Sequence, residues 1–450
     1  MKIIQVSASD GEGGAARAAY RLHAGLLQAG YDSRMMVRHR VTGDPAVHTF
    51  ATGWSVVQRI RGMLRAKRIE LAMRRFYRKR PGGLGPFTDD RSRFGAAIGT
   101  GLPKADVVNL HWVGNDYFDY GGFFSRYPAC APVVWTLHDM NVFTGGCHYN
   151  EGCDRYLDGC GCCPQLGSTD PNDLSHGIFN RKQAVFNRMA ATGRFRVVSC
   201  SQWLGRLARQ SKLVGRFPVS VIPNGIDPEL YQPRPAQDVR HALGIGNSEK
   251  MILFVAEQLA ARRKGMPVLL EAMCGVCRVV PGVRLVCVGA LRQLPEKPDV
   301  PLINLGTIQD DRLLSLIYSA ADLFVIPSLQ ENFPLTVLES MACGTPVAGF
   351  DTGGIPEMVR PGRTGLLAPV GDAAALTEAI IQILKSDALR RDMAVACRAT
   401  VLAEYTLAQQ VEAYAALYRD MTGRRDRGEV PPSLEGSGGQ RAPAPAMKGN

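Results

Sequence analysis

The sequence predicts an α/β protein made of two domains, each with a parallel sheet covered by helices. Short apolar runs are repeatedly followed by a turn and then by a segment with helical spacing, the pattern of strand–helix–strand units. Lys2 to Val6 starts the first series of units, and Met251 to Val255 starts the second. At 450 residues the chain is long for a single domain. Together these observations favour two Rossmann-like, doubly wound domains.

A segment rich in proline and turn residues, PNGIDPELYQPRP at 223–235, separates the two series. The expected segments are a first domain over 1–218, a linker over 219–236, a second domain over 237–404, a last helix over 405–422 and a tail over 423–450. The tail is mostly Pro, Gly, Ser and charged residues with little to bury, which predicts disorder.

The net charge limits the candidate partners, and the N-terminal sequence limits the candidate compartments. The net charge is +12 with a pI near 9.2, so nucleotides, acidic membranes and nucleic acid are the candidate anionic partners. The N-terminal MKIIQVSAS is typical of a strand and not of a signal peptide, and no apolar run reaches the ~18 residues of a membrane span. We therefore expect a cytoplasmic protein with reduced cysteines.

The first strand is followed by a glycine-rich loop. Gly11, Gly13 and Gly14 precede a helix that starts at Ala15, which matches the weak G-x-G-x-x-A signal for phosphate binding. The second strand ends in Arg38, where a dinucleotide-binding fold would have an acidic residue. The pattern therefore does not favour NAD, and a tight strand-to-helix turn remains the alternative.

Residues 54–82 interrupt the strand–helix rhythm with a basic segment. Ten basic residues and one acidic residue lie between Arg59 and Arg80, which predicts a basic amphipathic helix for an anionic membrane surface. The apolar residues expected on one face of this helix are Val57, Ile60, Leu64 and Leu71. A solvated helix packed on its own domain is the alternative. Nucleic acid is not favoured, because aromatic residues that could stack on bases are few between Arg59 and Arg80, where Phe76 and Tyr77 are adjacent.

Two later strands of the first domain end in histidine. His111 follows the strand from Asp106 to Leu110, and His138-Asp139 follows the strand from Pro132 to Leu137. Ligands of open α/β sheets bind at the carboxyl ends of the strands, so these side chains are expected at a cleft. A structural histidine bonded to the backbone is the alternative.

A cysteine-rich loop follows over 145–167, with the sequence GGCHYNEGCDRYLDGCGCCPQLG. So many thiols within seventeen residues of a cytosolic protein suggest a tetrahedral Zn²⁺ site. The expected ligands are Cys147, Cys153, Cys160 and Cys163, with Cys162 or His148 as alternates. Such a site would be structural and would not do chemistry. Reduced thiols without a metal are the other interpretation.

The stretch from Ala321 to Leu367 organises the second domain. A buried strand, Leu323 to Ile326, leads into a loop with Glu331, and a helix with Glu339 follows. Pro334 fits the first position of that helix. The amides of Phe333 and Leu335 lie at its N-terminus, where phosphate can bind. A solvated helix face is the alternative to a ligand site.

The motif PS-x2-E-x-F, the Glu-x7-Glu spacing of Glu331 and Glu339, and the run ESMACGTPV resemble those of retaining glycosyltransferases of family 4. The resemblance extends over roughly residues 1–420. It implies the GT-B fold, in which two Rossmann-like domains face a cleft and the last helix crosses back to the first domain. Pro334 is a departure, since many members have Gly at this place.

The resemblance also implies roles for residues at matching positions. Lys264 would neutralise the donor diphosphate, and Arg263 or Arg262 would replace an arginine whose place is taken here by Gln258. Glu331 would contact the sugar, Glu339 the ribose, and His111 the sugar at the reaction centre. The remaining donor contacts would come from backbone at Gly13, Gly14, Phe333, Leu335 and the stretch starting at Gly306.

The expected function is a cytosolic, metal-independent transfer of a sugar with retention. The donor would be a nucleoside diphosphate sugar, and the acceptor a saccharide, lipid-linked, in exopolysaccharide, colanic-acid or lipopolysaccharide assembly at the inner face of the membrane. No cofactor is expected in catalysis, and no nucleic acid as partner. Two rivals remain: a GT-B epimerase or phosphorylase, and a non-enzymatic basic module that binds membrane or nucleic acid.

Overall fold

The computed structural model describes residues 1–50, 55–77, 80–114, 116–125, 127, 131–291 and 300–423. They form two parallel sheets, of seven and six strands, each in its own domain. The tail expected after residue 423 lies outside the described residues. Among the described helices, none is both long enough and apolar enough to cross a bilayer.

The first domain is a doubly wound sheet with the order β3-β2-β1-β4-β5-β6-β7, all strands parallel. Its strands are β1 (Lys2–Ser9), β2 (Asp32–His39), β3 (Val47–Thr49), β4 (Val107–Leu110), β5 (Val133–Leu137), β6 (Phe195–Ser199) and β7 (Val219–Val221). Its helices are α1 (Gly14–Gln28), α2 (Val56–Tyr77), α3 (Ala97–Gly101), α4 (Tyr120–Phe124), α5 (Leu174–Ala190) and α6 (Gln202–Gln210). The central strands β4 and β5 are fully buried, which explains why their sequences are mostly apolar. Each has one buried polar residue, and the Thr136 hydroxyl donates to Asn109 Oδ1 at 2.9 Å.

The second domain repeats the plan with the order β10-β9-β8-β11-β12-β13, again all parallel. Its strands are β8 (Lys250–Gln258), β9 (Val283–Ala290), β10 (Leu302–Asn304), β11 (Leu323–Ile326), β12 (Val347–Phe350) and β13 (Gly365–Ala368). The helices of this half are α7 (Gln237–Ala242), α8 (Met266–Val279), α9 (Asp311–Ala320), α10 (Leu335–Ala342), α11 (Ile355–Met358), α12 (Ala373–Lys385), α13 (Asp387–Glu404) and α14 (Leu407–Thr422).

The structure moves the start of the linker. The expected linker began at residue 219, but Val219–Val221 is β7, which pairs with β6 as the edge strand of the first sheet. The first domain therefore continues through β7. The turn-forming residues PNG at 223–225 follow β7 after one further residue, so they indicate the end of the first sheet in the sequence.

The last helix, α14, packs on the first domain although it follows the second in sequence. Thr406 caps it in a capping box with Gln409. Tyr414 and Tyr418 are fully buried among residues of β1, α1 and β4. The chain therefore crosses between the domains twice, once at the linker and once at α14.

Helix α2 (Val56–Tyr77) covers most of the basic segment predicted over 54–82. Trp54, Arg78 and Lys79 lie outside the described residues. One face is docked through the buried Ile69 and through Arg65, whose guanidinium lies 2.5 Å from the Asp119 carboxylate.

Candidate active site between the domains

A cavity of about 440 Å³ lies between the two domains, at the carboxyl ends of both parallel sheets. Open α/β sheets bind ligands at this edge, because loops and helix N-termini converge there. The first domain contributes the loop after β1 and the residues after β5, and the second contributes the turn after β8 and the start of α10.

The glycine-rich loop forms one wall of the cavity and leads into α1. Gly13 and Gly14 both line the cavity, and Gly13 is the N-cap of α1 with a φ of 88°. That backbone conformation favours glycine. In this structure the loop lies at the cleft between the domains.

The turn after β8 brings two cations to a buried carboxylate. Lys264 Nζ donates to Glu331, and Arg263 Nη1 lies 2.7 Å from Glu331 Oε1. The approach depends on Gly265, whose φ is 74° and where a Cβ atom would collide with the Pro327 carbonyl oxygen. Arg262, the alternate from the sequence, is exposed and faces Glu151 instead.

These three charges leave an excess of one positive charge in the cavity wall. Burial by itself would raise the pKa of Glu331, but the charges of Arg263 and Lys264 outweigh burial and lower it to about 2. Burial lowers the pKa of Lys264, which Glu331 partly offsets. Two cations that share one carboxylate can accept a second anion, such as a phosphate.

Glu339 lies on α10, 3% exposed, and already holds two donors. Its Oε1 accepts from Arg21 of the first domain at 2.7 Å, and its Oε2 accepts from the Tyr318 hydroxyl at 2.9 Å. Burial opposes ionisation, yet the charges of Arg21 and Arg17 lower the pKa of this carboxyl. Glu339, whose carboxylate is expected to bind the ribose, therefore forms an ion pair with Arg21 of the first domain in this structure. Sequence reasoning missed Arg21, because the helical pattern of α1 carries no signal for a partner about 300 residues away.

The start of α10 faces the cavity without a side-chain cap. Phe333, Pro334 and Leu335 all line the cavity. Pro334 is the N-cap, so the helix begins one residue later than predicted, and Pro334 makes no side-chain cap hydrogen bond. The Val337 amide donates to the Pro334 carbonyl at 3.2 Å. The amides of Leu335 and Thr336 lie at the helix N-terminus, where an anion can bind.

His111, which the resemblance places at the sugar, lies behind a second histidine in this structure. His111 is 3% exposed and lies behind His138, with its Nδ1 at 3.0 Å from His138 Nε2 and its Nε2 at 2.7 Å from Gln5 Oε1. His138 and Asp139 line the cavity, whereas His111 lines a smaller pocket behind them. Burial lowers the pKa of His138 to about 4, so this imidazole is neutral at pH 7. Strand β5 extends further toward the cleft than β4 does. The relative shift of two neighbouring strands cannot be predicted from their lengths in the sequence.

The segment after β10, which includes the predicted donor-contact stretch starting at Gly306, forms another wall of the cavity. Thr307 and Ile308 line the cavity, and Gly306 precedes them with a φ of 67°. The Gly306 carbonyl accepts from the Gly289 amide at 2.7 Å, which fixes this loop to the end of β9.

The cysteine-rich loop contributes a residue to the site that sequence reasoning missed. Tyr149 lines the cavity, and the Arg263 guanidinium lies 4.3 Å from the centre of its ring. Asn150 next to it accepts from Gln330 Nε2 at 2.7 Å across the cleft. The loop predicted to hold a structural metal thus also contacts Arg263 of the second domain.

The predicted metal ligands lie outside the cavity lining. Cys147, Cys153, Cys160 and Cys163 are free thiols in the loop behind Tyr149. In the described part of the chain, no group of three or more His, Cys, Asp or Glu side chains is placed so that it could hold a metal ion.

Each of the two domains matches a protein-family model. Residues 12–230 match the model described as Glycosyltransferase Family 4, and residues 249–386 match the model described as Glycosyl transferases group 1.

Curated relatives cover part of the chain. An N-acetyl-alpha-D-glucosaminyl L-malate synthase of Bacillus anthracis is 28% identical over 47% of this chain and 56% of its own. An alpha-maltose-1-phosphate synthase of Mycolicibacterium smegmatis is 31% identical over 45% of this chain and 57% of its own. A D-inositol 3-phosphate glycosyltransferase of Corynebacterium urealyticum is 34% identical over 44% of this chain and 51% of its own. The chain thus spans little more than half the length of these relatives.

Solved structures match nearly the whole chain. Sucrose-phosphate synthase of Thermosynechococcus elongatus superposes with a TM-score of 0.64 at 21% identity, over 94% of this chain and 100% of the other. HepE of Anabaena, solved in complex with UDP and glucose, superposes with a TM-score of 0.59 at 16% identity, over 93% of this chain and 100% of the other. The chain therefore has the two-domain GT-B fold, and its domains match the Glycosyltransferase Family 4 and Glycosyl transferases group 1 models.

Proposed function

We propose that the protein transfers a sugar, with retention, from a nucleoside diphosphate sugar to a hydroxyl group of an acceptor. The observation that carries this proposal is the buried cluster of Arg263, Lys264 and Glu331 beside the uncapped start of α10. It combines two cations, a helix N-terminus and a carboxylate in one cavity. Cations and helix N-termini bind phosphate groups, and a carboxylate accepts hydrogen bonds from sugar hydroxyls.

The donor diphosphate would take Lys264 and Arg263 as partners. Glu331 would then be released from these cations to accept hydrogen bonds from sugar hydroxyls. As the glycosidic bond breaks, negative charge grows on the leaving phosphate, and fixed cations in a buried site stabilise that charge. We assign the acceptor's proton to the leaving phosphate and no metal to this step, since the two cations supply the positive charge.

The base and ribose would lie between β9, the loop at Thr307 and α10. Glu339 is proposed to accept hydrogen bonds from the ribose hydroxyls, which would replace or share the contact with Arg21. HepE, solved with UDP-glucose, supports a nucleoside diphosphate sugar as donor class. His138, which lines the cavity, takes the place at the sugar that the sequence resemblance implies for His111.

The acceptor is proposed to be a lipid-linked saccharide of surface polysaccharide assembly, reached at the inner face of the membrane. Helix α2 supports this idea, because it leaves apolar side chains exposed among arginines, with Val56 71% and Met63 64% exposed. Basic helices with exposed apolar residues bind anionic lipid surfaces. WaaG, described as a glycosyltransferase of lipopolysaccharide biosynthesis, has the same fold with a TM-score of 0.59.

The donor class is tested by thermal shift with a panel of nucleoside diphosphate sugars. One class should raise the unfolding temperature, and the same compound should be consumed when acceptor saccharides are added. NMR of the product then reads the anomeric configuration, which should equal that of the donor. Conversion of the donor without any acceptor would instead indicate an epimerase, and no shift with any nucleotide sugar would contradict the proposal.

Three substitutions separate the roles within the cavity. Glu339→Gln should weaken donor binding about ten- to a hundredfold, since hydrogen bonds to a charged group contribute roughly 1.5–3 kcal/mol. Lys264→Ala should lower kcat more than donor affinity, because the phosphate gains charge during the reaction. Glu331→Gln should reduce transfer but leave binding of the free nucleoside diphosphate unchanged or tighter, since glutamine no longer competes for the cations.

The matched control is Glu271→Gln, an exposed carboxylate on α8 that does not line the cavity. It should leave binding and turnover at wild-type values. If the three cavity variants also kept wild-type donor affinity and transfer rate, this cavity would not be the donor site.

A further inference from the structure

The residue after Glu331 bonds to the first domain and not to the cation cluster. Asn332 is 4% exposed, and its Oδ1 accepts from the Ser201 hydroxyl at 2.6 Å. Its Nδ2 donates to the His138 carbonyl at 3.2 Å and lies 3.4 Å from the Leu137 carbonyl oxygen. Both polar atoms of this side chain are therefore bonded across the domain boundary.

The amide of Asn332 is matched to these partners. The amide nitrogen faces carbonyl oxygens at the end of β5, whereas the amide oxygen faces a hydroxyl donor. The Ser201 hydroxyl in turn accepts from the Leu204 amide at 3.0 Å, as the N-cap of α6. In a buried network of this kind, loss of one member leaves the other polar groups unpaired.

A pair of glycines allows the two domains to approach closely at this point. Gly353 and Gly354 lie in the turn after β12, and Gly353 has a φ of 60°. A Cβ atom on Gly354 would collide with the Asn332 carbonyl oxygen and would lie 2.9 Å from the Ser201 Cβ atom. The turn, the Glu331 loop and the start of α6 therefore meet without room for another side chain.

A second contact from this region also holds the start of α6. Glu357 of α11 accepts from the backbone amides of Gln202 and Trp203 at 2.8 and 2.7 Å. The first amides of a helix have no partner within the helix, and a negative charge is favourable at this end. A half-buried carboxylate of the second domain thus caps a helix of the first domain.

The Asn332 contact lies between two residues of the candidate sugar site. The His138 carbonyl is bonded to Asn332, and the His138 side chain lines the cavity, where its Nε2 lies 3.0 Å from His111 Nδ1. Glu331, next to Asn332 in the sequence, lines the same cavity from the second domain. One side chain therefore connects the loop of the proposed sugar-binding carboxylate to the histidine on the other side of the cleft.

We propose that Asn332 is a positioning residue for the transfer reaction. It holds the end of β5 and the start of α6 against the second domain, and this docking sets the distance between His138 and Glu331. Glu357 supports the same docking from outside the cavity lining. The inference rests on the proposed function, because that function assigns His138 and Glu331 to the donor sugar.

Asn332→Asp tests this role with little change in size. A carboxylate still accepts from Ser201 but cannot donate to the His138 carbonyl, so the two domains should no longer dock correctly. Since a misplacement of about 1 Å can cost about a hundredfold in rate, kcat should fall about ten- to a hundredfold. Affinity for the nucleoside diphosphate selected by the thermal-shift panel should change less than about twofold, because the variant keeps the cations and the helix N-terminus.

Asn247→Asp, at an exposed site before β8, is the matched control and should keep wild-type kcat. A wild-type kcat in Asn332→Asp would overturn the proposal. A loss of nucleotide affinity as large as the loss of kcat would also overturn it, because Asn332 would then act on donor binding.

Hydrogen–deuterium exchange measures the docking itself, in full-length protein without any ligand. The amides of Gln202 and Trp203 are bonded to the second domain, so the peptide at 200–206 reports on this contact. Asn332→Asp should make this peptide exchange several-fold faster than in the wild-type protein. Glu357→Gln should have the same effect without changing the buried network.

Peptides of β1 should exchange at the wild-type rate in both variants, which shows that the first domain stays folded. Unchanged exchange at 200–206 in both variants would refute the docking role, even if transfer were slower. Wild-type protein that is inactive with every nucleotide sugar would instead contradict the proposed function. The two failures are distinguishable, because exchange is measured without a donor.

Discussion

Each charged residue of the cavity cluster is already paired before any ligand arrives. Glu331 is held by Lys264 and Arg263, and Glu339 is held by Arg21 and Tyr318. A bound donor must therefore replace these ion pairs and hydrogen bonds within the protein by contacts to its own phosphates and hydroxyls. The exchange keeps every buried charge paired, which matters because an unpaired buried charge is costly.

Buried histidines should make the protein less stable in mild acid. Burial lowers the pKa of His23 and His138 to about 4, from about 6.5 in the unfolded chain. Below pH 6.5 the unfolded state thus binds more protons, and stability falls as the pH decreases toward 4. Each histidine should contribute a slope of up to about 1.4 kcal/mol per pH unit. Glu331, with a pKa of about 2, adds a further loss below pH 4.5.

Urea unfolding at pH values between 7.5 and 4.5 measures this slope. His138→Gln should reduce the pH dependence of the free energy of unfolding by the contribution of one titrating group. His241→Gln, at an exposed site on α7, should leave the pH dependence unchanged. A stability that does not change between pH 6.5 and 5 would contradict the assignment of neutral buried histidines.

Among the elements, α2 differs because its exposed face is apolar as well as basic. Six of its large hydrophobic residues are exposed, namely Val56, Val57, Ile60, Met63, Leu64 and Leu71. At about 100° per residue they project within roughly a third of the helix circumference. The docked face, with Gly62 and Ile69 buried, lies on the opposite side. A helix that only packs on its own domain would bury the larger of its two apolar faces.

The exposed face of α2 predicts binding to anionic lipid vesicles at low salt. Replacing Arg74 and Arg75 by Gln should weaken sedimentation with vesicles, since each basic residue near the surface contributes about 1 kcal/mol and salt screens it. Ile60→Ser with Met63→Ser should weaken binding even at constant charge. Lys385→Gln, an exposed basic site on α12, is the control. Equal sedimentation of all variants would rule out this surface.

At the scale of the whole molecule, α14 and two ion pairs hold the domains together. Arg17 pairs with Asp311 and Arg21 with Glu339, so α1 spans the cleft beside the candidate nucleotide site. Helix α14 fills the other side of the first domain, where Tyr418 accepts from Asn109 Nδ2 at 2.9 Å. Gln5 bonds both His111 and Tyr418, which links the histidine pair to this helix.

Tyr418→Phe should therefore reduce the stability of the protein. The change leaves the buried Asn109 amide without its hydroxyl partner, which costs about 1–3 kcal/mol. Urea unfolding measures the loss. Glu412→Gln, which breaks an exposed ion pair with Arg419 on the same helix, should change stability by less than about 1 kcal/mol. A loss no larger than that of Glu412→Gln would show that α14 is not tied to the first domain through this hydroxyl.

The sequence by itself determined the two-domain α/β architecture and the second-domain half of the candidate site. The periodicity of apolar residues along the sequence predicts the strands and helices. Glu331, Glu339 and Lys264 follow strands or lie in helices that follow strands, so the topology alone brings them to one sheet edge. The residues at this sheet edge were predictable because parallel strands share a direction.

The tertiary structure alone decided which side chains meet across the cleft. Arg21 reaches Glu339, Tyr149 reaches Arg263, and His138 stands in front of His111. These contacts depend on the relative placement of two domains and on small offsets between neighbouring strands. No local pattern encodes such distances, because residues far apart in the chain come together only when both domains have folded and α14 has closed over the first.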